Sequence, residues 1–291
     1  MIRLYPNTKT DILKKDIKPA AYCKDGDTVI FETNDCFDNS ITYSGIQLTD
    51  KKYMQNPATG PLYIEGAEKG DALCVEIKSV KTNTYGIVKT HFGESAFEDI
   101  KRQNGQKIID IKDGSIDFEG KKIPLNIMIG VIGVAPDDPE GVVTVSAGEH
   151  GGNLDCTRVR EGAKIYFPVA VNGALFALGD LHAVMGDGEV SGYGLEVSGE
   201  VVAGFSVIKG KCVKAPVIYY DNTVMILASA KTLDEAVKKA NTELFNLLVA
   251  NGWSEPDAAM LMSLNANIAV CQVVNPVKTV RMSLRADLIR K

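Results

Sequence analysis

Two short runs within residues 146–192 are the most informative part of the sequence. The first is EHGGNLDC at 149–156; the second is GDLHA at 179–183, followed by GDGE at 186–189. They contain His150 and His182, two of the three histidines of the chain, each with carboxylates close by in sequence. Glycines between the polar residues let the backbone approach a ligand and adopt positive φ. Glycine with Asp or Asn is also typical of turns between strands, so this pattern fits either a binding site or a set of turns.

The strands expected around these runs favour a site. Residues 163–178 predict a hairpin with Asn172-Gly173 as its turn, because Asn-Gly is the strongest short hairpin signal. Such a hairpin would return Asp155 and Asp180 to the same end of a sheet. Imidazole and carboxylate are the donors expected for zinc or another divalent metal. The residues therefore predict a metal site at this end of the sheet.

The rest of the chain predicts a β-rich α+β fold with a β-sandwich-like sheet core from residues 1–230. Turn signals such as Asp113-Gly114 and Asp221-Asn222 separate β-branched and apolar runs throughout this part. A buried strand is also expected at 268–274, with a continuation of the preceding helix as the alternative. Repetition of a strand–turn–strand pattern argues against βαβ units.

A pair of helices is expected at 232–266, packed on the sheets. Thr232 and Glu235 form a capping box ahead of an apolar period of 3.6 that runs from Leu233 to Asn251. A second helix begins at Ser254. The sequence contains no linker and no low-complexity tract, so residues 1–291 are expected to form a single domain.

Composition excludes several classes of function. A net charge of −5 without a basic cluster gives no reason to expect a nucleic acid partner. No apolar run approaches the roughly 18 residues of a membrane span, and no signal peptide is apparent at the N-terminus. The six cysteines are scattered without CxxC pairs, which favours free thiols in a cytoplasmic protein over a disulfide framework.

Several motifs, in order along the whole chain, resemble the acetamidase/formamidase family. Besides the two runs already quoted, they are ETND at 32–35, NPATGPLYIEGA at 56–67 and NPVKTVR at 275–281. The resemblance implies hydrolysis of a short aliphatic amide, acetamide or formamide, to the carboxylate and ammonia. It also adds Asp35, which ends the first of these motifs, and Glu65 to the expected site. A homodimer or higher homo-oligomer is expected.

The expected cofactor is a divalent metal, zinc by preference, with calcium as a possible second ion. A subset of six residues would bind it: Asp35, His150, Asp155, Asp180, His182 and Glu189. A metal lowers the pKa of bound water and polarises a carbonyl. The expected mechanism has Asn153 or a glycine N–H stabilise the oxyanion and Glu65 protonate the departing nitrogen. Glu65 and Asp187 are weaker candidates, either for hydrogen bonds that orient the metal ligands or for proton transfer.

Two alternatives stay open at this point. The chain contains no Gly-x-Ser-x-Gly elbow, but Cys156 lies beside Asp155, so a cysteine-dependent amidase is one of them. The other is a non-catalytic, β-rich module that binds a metal or an amide. The third histidine, His91, is expected to be structural or to lie at a pocket rim.

Overall fold

The computed structural model of the chain describes residues 1–48, 53–93, 95–211 and 213–290. Within these ranges the regular structure consists of two large β-sheets, a two-stranded sheet, two α-helices and two 3₁₀ turns. The predicted β-rich α+β fold class is therefore confirmed. No helix in the described ranges is long and apolar enough to cross a bilayer.

The first large sheet has nine strands and is antiparallel except at one edge, where β1 (Ile2–Leu4) and β5 (Thr28–Thr33) are parallel. In spatial order it contains β1 (Ile2–Leu4), β5 (Thr28–Thr33), β19 (Gly199–Ile208), β7 (Ala72–Thr82), β16 (Lys164–Pro168), β20 (Val217–Tyr220), β21 (Thr223–Ala230), β23 (Lys278–Arg285) and β22 (Asn267–Gln272).

The second large sheet has twelve strands. Its main path is β11 (Lys121–Pro124), β10 (Ser115–Phe118), β9 (Gly105–Lys112), β8 (Tyr85–Thr90), β18 (Glu196–Val197), β17 (Phe176–His182), β12 (Met128–Gly133), β15 (Gly151–Asn153) and β14 (Ala147–Gly148). Strand β6 (Ala58–Ile64) pairs with β17 and also carries β2 (Lys9–Thr10) and β4 (Ala21–Cys23). The small sheet joins β3 (Ile12–Leu13) to β13 (Val142–Val143).

The two large sheets pack face to face through fully buried aromatic rings. Phe176 of β17 lies 5.7 Å from Phe31 of β5 and 5.1 Å from Phe205 of β19, measured between ring centroids. Both pairs are edge-to-face, the arrangement that aromatic rings prefer. Each ring contributes on the order of 2–3 kcal/mol by leaving water. This sandwich core fixes β17, the strand that carries Asp180 and His182, from one side.

Two of the predicted hairpins are confirmed. Asp113 and Gly114 join β9 to β10, and Asp221 and Asn222 join β20 to β21. All four residues have positive φ, between 49° and 67°. That is the backbone of a type I′ turn, which Asp, Asn and Gly adopt at the lowest cost.

The predicted hairpin at 163–178 is wrong. Strand β16 pairs with β7 and β20 in the first sheet, whereas β17 pairs with β12, β6 and β18 in the second. The chain between them crosses from one sheet to the other. Gly173, at φ 77°, lies so close to Tyr63 that a Cβ there would be 2.2 Å from its ring. The Asn-Gly signal therefore marks a tight crossing, where only glycine fits, and not a hairpin.

The helical pair follows the sequence closely. Helix α1 (Leu233–Ala250) begins after Thr232, and both hydrogen bonds of the capping box with Glu235 form. Helix α2 (Glu255–Asn265) begins after Ser254. The 3₁₀ turns are Ser95–Phe97 and Ala286–Leu288. The strand expected at 268–274 is β22, an edge strand whose first half is exposed, so its predicted burial is only partly correct.

Candidate metal centre

Asp155 and Asp180 meet over a glycine of the strand between them. Strand β12 lies between β15 and β17. Its Gly130 is therefore next to Asp155, which follows β15, and to Asp180, which lies in β17. A Cβ on Gly130 would lie 2.6 Å from Asp155 Oδ1 and 2.6 Å from Asp180 Oδ2. The two runs thus converge as the sequence predicts, but through a shared middle strand.

His182 joins this pair from the same strand as Asp180. Its Nε2 lies 3.0 Å from Glu196 Oε2 and 3.5 Å from Asp180 Oδ1. Glu196 is brought there by register, because β18 places it directly opposite His182. The other ring nitrogen, Nδ1, lies 3.2 Å from Met185 Sδ. His182, Asp180 and Glu196 are almost completely buried, so water does not screen their charges.

Ligand-type atoms of these residues fall into two adjacent groups. In each group the atoms lie within 4.8 Å of one another, and every residue is buried: Asp155, His182 and Glu189 in one, Cys36, Asp180 and Glu196 in the other. Carboxylate and imidazole suit zinc and other divalent ions. Glu196 and Cys36 were not expected from the sequence.

Three carboxylate oxygens in the centre are buried and have no hydrogen-bond partner: Asp155 Oδ1, Asp180 Oδ1 and Glu196 Oε2. The approach of Glu196 Oε2 to His182 Nε2 is short but is not aligned as a hydrogen bond. An unpaired buried carboxylate oxygen is strongly unfavourable unless a cation or donor satisfies it. The three oxygens and His182 Nε2, divided between the two groups, are therefore donors of the kind that a divalent metal ion would satisfy.

Titration of the centre reflects an excess of acidic groups. Burial, reinforced by Asp180, raises the pKa of Asp155 to about 7, and burial raises the pKa of Glu196 to about 8. Burial also raises the pKa of Glu189 well above its ordinary value. Burial by itself would lower the pKa of His182, but Glu196 and Asp180 hold it well above its ordinary value. The carboxyls thus hold protons in the place of a cation.

The backbone at the centre is strained. Asp155, Asp180 and Glu189 all adopt positive φ, of 42°, 58° and 49°. A left-handed conformation costs a residue with a Cβ about 1–2 kcal/mol. Three such residues in one cluster show that the fold fixes the directions of these carboxylates against local preference. Strain of this kind is concentrated at functional sites.

Two asparagines hold the aspartates in place. Asn56 Nδ2 donates to Asp180 Oδ2 at 3.1 Å, and Asn275 Nδ2 donates to Asp155 Oδ2 at 2.9 Å. Each bond leaves the Oδ1 atom of its aspartate free for a ligand. Both asparagines begin an Asn-Pro step of one of the family-like motifs, at 56–67 and 275–281, but neither was expected to take part in the site. Remote segments therefore supply the supports of the centre.

Two of the expected metal ligands lie outside both groups. Asp35 Oδ1 accepts hydrogen bonds from the backbone N–H groups of Phe37 and Asn39, which closes a turn beside Cys36. Burial raises the pKa of Asp35 to about 6. His150 packs on Gly152, and its buried Nε2 has no partner. Burial lowers the pKa of His150 to about 4, so its ring is neutral.

The residues expected to assist catalysis are dispersed. Glu65 is exposed and follows the last residue of β6, whose first residue, Ala58, pairs near Asp180. Asp187 forms a two-point ion pair with Arg281, at 2.9 and 2.6 Å, so its carboxylate is already engaged. Asn153 is buried in β15, and its Oδ1 has no partner.

Cys156 is fully buried beside Cys271 and Arg281. A hydrogen bond with Cys271, assisted by the Arg281 charge, lowers the pKa of the Cys156 thiol. The structure gives this thiol no exposed surface from which it could attack a substrate. His91 packs edge-to-face on Tyr193 at 5.3 Å and is half-buried.

Fold and site together define a β-rich protein with a buried, carboxylate-rich centre competent for a divalent ion. The profile of the acetamidase/formamidase family matches residues 8–139 and 138–284, and the chain belongs to this family.

Solved structures agree with this assignment over nearly the whole chain. A recombinant predicted acetamidase/formamidase from Thermoanaerobacter tengcongensis is 41% identical, with a TM-score of 0.93 and coverage of 97% of this chain and 95% of that one. An acetamidase from Bacillus halodurans is 39% identical, with a TM-score of 0.91 and 97% coverage of both chains.

A formamidase from Methylophilus methylotrophus is 25% identical over 235 residues, which is 59% of this chain and 55% of that protein. The chain spans less than two thirds of the length of the curated relatives it matches.

Proposed function

We propose that this chain is a metal-dependent amidohydrolase that cleaves short aliphatic amides, such as acetamide and formamide, to the carboxylate and ammonia. Membership of the acetamidase/formamidase family supports the reaction. The observation that carries metal dependence is the set of unpaired, buried carboxylate oxygens around His182. Family membership alone does not require an ion, whereas this donor set is costly without one.

Four residues from the two groups would hold metal: Asp155 and His182 in one, and Asp180 and Glu196 in the other. Zinc fits the imidazole, and the large number of carboxylate oxygens also suits calcium at an adjoining position. A divalent ion bound there lowers the pKa of water and polarises an amide carbonyl. Asn56 and Asn275 would keep the two aspartates oriented, since each donates to the oxygen that faces away from the unpaired one.

Proton transfer is assigned to Glu189. Its Oε1 accepts the backbone N–H of Gly194 at 3.1 Å, and a ligand-type oxygen of its carboxyl lies within 4.8 Å of those of Asp155 and His182. Its side chain is more exposed than those of the four proposed ligands, at 7% against 1–2%. A carboxyl in this position can receive a proton at the centre and pass it to the departing nitrogen. This assignment replaces Glu65, which lies exposed beyond the far end of β6.

The test combines metal analysis with an ammonia-release assay. The purified protein is expected to contain a divalent metal and to release ammonia from acetamide or formamide. A chelator should abolish turnover, and adding back the metal should restore it. The variants His182→Ala and Asp180→Asn should lose both metal and turnover, whereas Val143→Ala, at an exposed position of β13, should keep both. Full turnover in metal-free protein would contradict the proposal.

Assembly and location complete the proposal. Three exposed apolar side chains, Met260, Leu264 and Ile268, lie along α2 and the edge strand β22 and support self-association as a homo-oligomer. The five cysteines in the described ranges are free and buried, which supports a reducing, cytoplasmic location; Cys212 lies outside those ranges. Light scattering on the purified protein, with Leu264→Asp as comparison, tests the assembly.

A further inference from the structure

A cavity of about 250 Å³ lies beside the metal centre, between the loop at 184–195 and strands β8, β9 and β10. This is many times the roughly 10–15 Å³ that a single water needs on the same measure. This is more space than the single methyl group of acetamide needs. The cavity therefore has room for a group larger than a methyl.

The cavity adjoins the centre through three of its lining residues. Glu189 belongs to the centre, and Gly194 donates its backbone N–H to Glu189 Oε1 at 3.1 Å. Met185 lines the cavity while its Sδ lies 3.2 Å from His182 Nδ1. A molecule in this cavity thus lies next to the carboxyl that we assign to proton transfer.

The remaining wall is mostly apolar. Ile109, Ile116 and Leu195 line it and are at most 8% exposed. Phe118 and Val190 lie at the outer rim, at 38% and 51% exposed. An apolar interior with one polar end is typical of a site that binds a chain carrying one polar group. An amide with an extended alkyl chain has this distribution of polarity.

We propose that this cavity binds the acyl chain of the substrate, so that the preferred amides are aliphatic carboxamides of four to five carbons, such as butyramide and pentanamide. The proposal rests on the amide hydrolysis proposed above. Acetamide then leaves most of the apolar wall uncovered. Each additional methylene that enters the cavity should raise kcat/KM about fourfold, equivalent to about 0.8 kcal/mol.

The experiment measures kcat/KM for acetamide, propionamide, butyramide and pentanamide with the metal-loaded protein. Across this series the wild type should gain roughly 50-fold. Val88 of β8 lines the cavity, and Val88→Phe places a ring in it, so the ratio of kcat/KM for pentanamide to that for acetamide should fall to less than about twofold. Val143→Phe makes the same substitution at an exposed position outside the cavity and should keep the full gain.

A binding measurement separates this proposal from the amidase proposal. Calorimetric titration with acetate, butyrate and pentanoate should show tighter binding with chain length in the wild type and not in Val88→Phe. If acetamide is hydrolysed but neither kcat/KM nor carboxylate affinity rises with chain length, the cavity does not bind the acyl chain and the amidase function stands. If no amide is hydrolysed, the amidase proposal fails. The chain-length dependence of carboxylate binding then decides whether the cavity binds an apolar chain at all.

Should Val88→Phe not fold, Ile116→Ala provides the second variant. Removing this side chain enlarges the inner end of the cavity, and the kcat/KM optimum should move to chains longer than pentanamide. An unchanged optimum in a folded Ile116→Ala protein would overturn the proposal.

Discussion

The substitution Gly130→Ala tests the candidate metal centre, because it adds a methyl group against the carboxylates of Asp155 and Asp180. Gly130 lies within β12 at ordinary strand φ, so alanine causes no backbone strain there. Its Cβ, however, would lie 2.6 Å from both Asp155 Oδ1 and Asp180 Oδ2. To reach an ordinary contact of 3.4 Å, each oxygen would have to move by about 0.8 Å. For Asp155 this is the unpaired Oδ1, a proposed ligand, and the shift is several times the roughly 0.2 Å tolerance of a metal–ligand distance. For Asp180 it is Oδ2, whose displacement disturbs the hydrogen bond from Asn56 that orients the carboxylate.

Such a displacement has a measurable consequence. A 1 Å misplacement at a reacting centre costs about 100-fold in rate, so we expect kcat/KM for acetamide to fall by at least about 100-fold, together with loss of bound metal. Overpacking should cost about 1–3 kcal/mol of stability, which lowers the melting temperature by several degrees without unfolding the protein.

The assay compares metal content, ammonia release and thermal unfolding with those of Gly105→Ala. Gly105 lies in β9, where a Cβ would meet only Thr90 Oγ1, at an ordinary 3.6 Å. This control should keep metal, turnover and melting temperature. A folded Gly130→Ala protein with wild-type metal content and turnover would refute the placement of the ion between Asp155 and Asp180.

Three further predictions concern single side chains. Glu189→Gln should keep the bound metal and lower kcat at least about 100-fold, because it removes only the proposed proton carrier; loss of metal by elemental analysis would make Glu189 a ligand instead. Cys156→Ser and Glu65→Gln should each keep ammonia release within about threefold, because the Cys156 thiol is fully buried beside Cys271 and Arg281 and Glu65 is exposed just beyond the end of β6; a dead Cys156→Ser enzyme with full metal content would favour a covalent mechanism. A hydrogen bond from Lys209, together with the N–H of Gly210, lowers the pKa of Asp71 to about 2, so this carboxylate stabilises the fold above pH 4 and loses that contribution as the pH falls through 2; chemical denaturation from pH 5 to 2 should show a smaller loss of stability in Asp71→Asn than in the wild type.

Local signals predicted the elements of the fold well. The Asp-Gly and Asp-Asn turns and the Thr232 capping box are set by residues that are neighbours in sequence, and the structure confirms them. The Asn172-Gly173 turn failed for the opposite reason. Its flanking strands pair with β7 and β12, which are distant in sequence, and no local pattern specifies that choice.

In the candidate metal centre, too, local patterns indicated some residues and missed others. Asp155, Asp180 and His182 could be predicted because two short runs contain them. Glu196 could not, since its place depends on β18 pairing in register with His182. Asn56 and Asn275 were visible as motif residues, but only the folded chain shows that each donates to an aspartate.

Strand β17 carries the centre and is also hydrogen-bonded to three strands, β6, β12 and β18. Its amides cannot be released by fraying of an edge or a loop. Opening the centre therefore requires separating the middle of the sheet, and its free energy should approach that of global unfolding. An ion bound there, as proposed, would be lost together with the fold in one cooperative event. Thermal stability should then rise with metal concentration, and slow amide exchange in β17 should report on the fold and on the bound ion.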